Sequence, residues 1–205
     1  MIFRNCILNG AHADEPTKAT VARIDALVKR ERTALQIDYR PVDDPDPDVN
    51  VWRARDDDDT MIRLENTTHG RHVTIGSEDA ERCARTHRAL SAELSFWTVA
   101  ELLRETKRAK LSETVWLTRL AFSASHAGAP RDGEGEVAEL VRARLKSRNH
   151  EVRHAAADAT FVLRWPELLP AMIDARKRET RLDTIKMLGS AISEIREQTA
   201  RKAAP

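Results

Sequence analysis

The chain has 205 residues and balances 34 Lys+Arg against 33 Asp+Glu, a net charge of +1 that does not by itself demand a strongly charged partner. Its length supports a hydrophobic core without a disulfide or a structural metal. Two cysteines, Cys6 and Cys83, exclude a disulfide scaffold and fit a reducing compartment, and 29 Ala against 7 Gly and 1 Tyr favour helices over sheets.

The opening residues, MIFRNCILNG, are too polar for a signal peptide, and no run of about 18 apolar residues follows. The expectation is a cytoplasmic protein with no membrane partner. A ratio of 26 Arg to 8 Lys is common in GC-rich bacterial genomes. Residues 16–35 predict an amphipathic helix, with Pro16 in its first turn and Val21, Ile24, Leu27, Val28 and Leu35 on one face. An N-terminal segment therefore runs over 1–40.

Residues 41–60 hold three prolines and eight aspartates, which reads as a solvated loop or mobile insert. Asp44, Asp46 and Asp48 alternate like the start of a calcium loop, but no Gly stands at the sixth position and Arg55 occupies the twelfth. Asp56, Asp57, Asp58 and Asp59 form an acidic run suited to covering a basic surface on a partner. Trp52 within the insert is either a recognition anchor or packs locally. Residues 61–75 contain MIRLEN and RHVTI, two short strands or extended arms, closing the insert at 76. His69 and His72 read as surface histidines of a loop.

Residues 77–205 read as helical throughout. Ser77 caps a helix of about 78–94, on which Cys83 and His87 share a face as packing residues or metal ligands. Phe96 to Leu103 open a second helix, Ser112 and Glu113 cap a third, and residues 128–135 are a loop. Helices follow at about 136–147, 150–164, 167–177 and 180–198. Residues 1–60 carry 9 Lys+Arg and 13 Asp+Glu, net −4; residues 61–205 carry 25 and 20, net +5.

Self-similarity appears near the end. EVRHAAADATFVL (151–163) aligns with ETRLDTIKMLGSA (179–191), and Val137, Leu140 and Val141 match Leu169, Met172 and Ile173 at a spacing of 32, suggesting a two-helix unit of about 30 residues. Val152-Arg153, the alanines 155–157, Pro166-Glu167 and Pro170-Ala171-Met172-Ile173 resemble the short bacterial HEAT-like repeat, clearest over 136–192. The resemblance implies an all-α fold: antiparallel helical hairpins forming a short irregular α-solenoid, with an acidic insert and short strands near 41–75. It also implies that residues 150–177 form a tight antiparallel hairpin, the basis of the binding-scaffold reading.

Three functions follow as expectations. The first is a non-enzymatic protein-interaction module, an adaptor or an immunity or inhibitor-type scaffold, with another protein as partner and no cofactor. The second is nucleic-acid binding through an arginine stripe of Arg148, Arg153, Arg176, Arg178 and Arg181. Acidic residues interleave with that stripe, which also fits a salt-bridged solvent face. The third is a zinc hydrolase at His150-Glu151-Val152-Arg153-His154, where two imidazoles one helical turn apart hold the metal and the glutamate activates water. The extended motif is absent, since Thr160 stands six residues after His154, and Glu167 and Glu179 are conceivable third ligands that lie in no second motif.

Overall fold

The computed structural model describes residues 2–67, 70–108, 113–125 and 134–203. The chain divides into two compact units, one through Thr98 and the other from Val99. The first carries 14 Lys+Arg and 18 Asp+Glu, net −4, and the second 20 and 15, net +5.

The first unit is built on a sheet, which overturns the all-α expectation. Strand β1 (Ile2–Ile7) is followed by helices α1 (Gly10–Asp14), α2 (Thr17–Arg30) and α3 (Arg32–Leu35). Then come β2 (Tyr39–Val42), β3 (Val49–Ala54), β4 (Met61–Thr67), β5 (Gly70–Ser77) and α4 (Ala80–Glu93). The strands form one five-stranded antiparallel sheet in the order β1-β5-β4-β3-β2. Alternate residues supply its core face: Cys6 and Leu8, Trp52 and Ala54, Ile62 and Leu64, Val73 and Ile75. In register, Trp52 lies opposite Ile62, and Ile62 opposite Ile75. Ile24, Leu27 and Val28 of α2 and Cys83 and Leu90 of α4 join the same core, as the helical spacing of these residues requires. Tyr39 is buried there too, its hydroxyl 3.0 Å from that of Thr86, and burial pushes its pKa up to about 12.

The segment read as an insert, 41–76, thus supplies β3, β4, half of β2 and nearly all of β5. Its prolines and aspartates concentrate in two hairpin turns, 43–48 and 55–60, where such residues are favoured. Pro41 lies in β2, an edge strand, where a missing N–H is tolerated. Ser77 ends β5, and the cap of α4 is Asp79, whose carboxylate accepts from the amides of Glu81 (2.8 Å) and Arg82 (3.3 Å). Phe96 bridges to Leu8, so the next helix begins later than expected, at Val99.

The second unit is helical: α5 (Val99–Arg108), α6 (Glu113–Ala124), α7 (Glu134–Arg144), α8 (His150–Leu163), a 3-10 turn Pro166–Leu168, α9 (Leu169–Arg178) and α10 (Leu182–Ala203). Ser112 and most of the 128–135 loop lie outside the described residues. Helix α8 starts at Asn149, whose side chain accepts from the Glu151 amide at 3.0 Å, and ends at Arg164 with φ 51°. Val152, Ala155, Ala156, Ala157, Ala159, Thr160 and Leu163 are all buried, because α8 packs against both α6 and α10. Small side chains on several faces let both neighbours approach closely. Residues 150–177 are therefore not a self-contained hairpin: α9 pairs with α10, and α8 with its own neighbours. His154 meets Thr184 (2.9 Å) and Arg164 meets Glu194 (3.0 Å), both pairs 30 residues apart, so α8 and α10 run parallel. Among the described residues no helix is long and apolar enough to cross a membrane.

Candidate functional site

The turn between β2 and β3 concentrates uncompensated charge. Asp43, Asp46 and Asp48 are exposed and Asp44 is half-buried. The loop is shaped locally: the Asp46 amide donates to the Asp44 carboxylate and the Asp48 amide to the Asp46 carboxylate, each at 3.0 Å. The Val49 amide donates to the Asp46 carbonyl (3.1 Å), and the Asn66 amide of β4 to the Asp48 carbonyl (3.2 Å). Pro45 and Pro47 further restrict the backbone. Arg71 of β5 secures the same end of the sheet. Its guanidinium donates to Asn66 Oδ1 (2.9 Å), the His12 carbonyl (3.0 Å), Thr20 Oγ1 (2.9 Å) and Thr17 Oγ1 (3.2 Å). None of the four turn carboxylates forms an ion pair with a described residue.

The second acidic run behaves differently. Asp56 pairs with Arg82 at 3.1 Å, and Asp58 with Arg40 at 3.6 Å. The Asp57 carboxylate accepts from the Thr60 hydroxyl (2.6 Å) and the Asp59 amide (3.0 Å), which holds its pKa below the usual carboxylate range. Asp59 is exposed. These residues form the β3–β4 turn, in which two of the four carboxylates pair with the chain's own arginines. Trp52 is 1% exposed, and its indole N–H donates to Asp25 at 2.7 Å. It is a core residue and cannot be a surface recognition anchor.

The arginines of the helical unit differ in their surroundings. Arg153 binds Glu179 with two nitrogens, at 2.7 and 3.1 Å, and donates to the carbonyls of Ser147 and Arg148, both at 3.0 Å. The Glu179 side chain is only 3% exposed and also accepts from the amides of Thr180 and Arg181. Arg153 chiefly ties the turn before α8 to the turn before α10, so it is withdrawn from any phosphate contact. Arg181 is 3.8 Å from Asp183, and Arg178 donates to the Asp174 carbonyl. Arg148 and Arg176 are exposed.

Loss of the 150–177 hairpin removes the basis of the repeat-scaffold reading and reopens the metal reading. His150 is exposed, but the His154 Nδ1 is engaged with Thr184, and Glu179, a conceivable third ligand, is held by Arg153. Among the described residues no group of three His, Cys, Asp or Glu is placed to hold a metal ion. Cys83 and His87 do not form a ligand pair either. The Cys83 thiol is buried, which raises its pKa, and points to the Ile75 carbonyl; the His87 Nδ1 accepts from Arg4 at 2.9 Å. His72 is buried in β5, and His69 lies outside the described residues.

Comparison with protein families, with curated proteins and with solved structures finds no match. Sequence reasoning missed the roles of Asn149, Glu179 and Thr184. Asn149 carried a signal, since a cap-forming residue directly precedes the periodic apolar run; the other two depend on tertiary contacts that spacing does not encode.

Proposed function

We propose that the protein is a non-enzymatic protein-interaction module of adaptor or inhibitor type. It binds a basic partner protein through Asp43, Asp44, Asp46 and Asp48. The observation that carries this reading is the contrast between the two acidic turns: in one, Asp56 and Asp58 pair with arginines, while the other presents four carboxylates that form no ion pair with a described residue. Such a surface attracts a positively charged partner and speeds its approach. Because backbone hydrogen bonds already shape the turn, little ordering entropy opposes binding.

Deleting residues 41–60 would remove half of β2 and all of β3, so the test uses point substitutions. Changing all four turn aspartates to Asn should weaken capture of the basic partner by about tenfold or more. Asp56→Asn with Asp58→Asn should change it much less. Binding measured by biolayer interferometry at two salt concentrations checks both. Unchanged affinity in the fourfold variant overturns the reading. Salt-steep binding of duplex DNA that is lost on Arg148→Ala would replace it with nucleic-acid recognition.

A further inference from the structure

Helices α9 and α10 border a groove of about 620 Å³. Lys186, Gly189, Ser190 and Ser193 line it from one face of α10, at three- and four-residue spacings, and Arg176 reaches it from α9. Glu194, also at the groove, is neutralised by Arg164 at 3.0 Å. Arg176 and Lys186 have no ion pair with a described residue, and the hydroxyls of Ser190 and Ser193 have no hydrogen bond with one. The Arg176 guanidinium rests beside Gly189. A Cβ there would stand 3.5 Å from Arg176 Cζ and 3.6 Å from its Nε and Nη2, so a methyl would fit in ordinary contact but a larger side chain would meet the cation. Ile185 adds an apolar wall.

From this juxtaposition we propose that the groove binds a small phosphate monoester. Two cations from different helices and two hydroxyls line the one groove. A carboxylate presents two oxygens in one plane and is satisfied by a single guanidinium fork. A phosphate monoester presents three terminal oxygens and nearly two negative charges, which suit donors spread around it. Ile185, which lines the groove, favours an organic substituent on the ester over the free ion.

The test titrates phenyl phosphate, inorganic phosphate and benzoate into the full chain by isothermal calorimetry. Saturable binding is expected in the order phenyl phosphate, phosphate, benzoate. The Arg176→Gln/Lys186→Gln double variant should lose about tenfold or more in affinity for phenyl phosphate. Gly189→Leu should abolish binding by displacing the guanidinium. Gly189→Ala should retain it and raise the melting temperature, because its Cβ makes only ordinary contact and Ala is the better helix former. Equal affinity for benzoate, full affinity in the double variant, or no saturation by any of the three overturns the proposal. The fourfold Asn variant of the β2–β3 turn should bind phenyl phosphate normally, which separates this site from the partner surface.

Discussion

Glu179→Gln is expected to lower the stability of the helical unit at neutral pH by about 3 kcal/mol. The carboxylate is nearly inaccessible, holds Arg153 through two hydrogen bonds, and accepts two amides at the entry to α10. The Arg153 guanidinium, followed by those amides, pulls its pKa from the ordinary 4.5 to about 2. A depression of that size corresponds to roughly 3 kcal/mol of preference for the ionised, folded form. The sign is fixed by the direction of the shift. The folded-state pKa lies below the unfolded one, so the contribution is complete above about pH 4.5 and is lost as pH falls toward about 2. The wild-type unit should lose that stability across this acid window, and the Gln variant should lack that part of the dependence. Hydrogen exchange at the amides of α8 and α10, compared with urea unfolding at several pH values, measures it. Parallel acid profiles for the two proteins would show that the pair does not carry the joint. Arg153→Gln should produce the same loosening, since it strands the buried carboxylate.

The two halves of the molecule differed in how much their sequences disclosed. In the helical unit, the 3.6-residue spacing of Val152, Ala155, Ala156, Ala159 and Leu163 marks a buried helix. Helix partnership was not encoded so locally. Whether α8 closes against the helix before it or after it depends on packing across the unit, and the wrong neighbour was inferred for 150–177. In the sheet unit, the alternation in MIRLEN and RHVTI is genuine, but each strand is only four to eight residues long. Too few periods are present to outweigh the turn signals beside them. Eight aspartates and three prolines dominate residues 41–60, so the two turns concealed the strands they connect. The site showed the same limit. Acidity at 43–48 was visible from composition, whereas its lack of internal partners, and the pairing of Asp56 and Asp58, required the arginines of β2 and α4 to be placed.

Trp52→Ala should be the most damaging single change in the sheet unit, costing about 3–5 kcal/mol. The indole is 1% exposed within the core and lies in one cross-strand row with Ile62 and Ile75. Truncation removes a large apolar surface and leaves a cavity beneath α2, whose Asp25 loses its donor. Trp52→Phe separates the two contributions. It keeps most of the packing and removes only the indole N–H, and because Asp25 is half-buried its carboxylate regains water, so the cost should be about 1–2 kcal/mol. The difference also reaches the proposed function. Strand β3 begins at Val49, directly after the acidic turn, and Trp52 anchors that strand to the core. The Ala variant should therefore free the turn as well as weaken the unit, reducing partner affinity although no aspartate has changed. The Phe variant should bind as the wild type does. Hydrogen exchange of β3 and β4 together with binding measurements distinguishes these outcomes, and undiminished affinity in a Trp52→Ala protein with exchange-competent β3 would show that rigidity of the turn is not part of recognition.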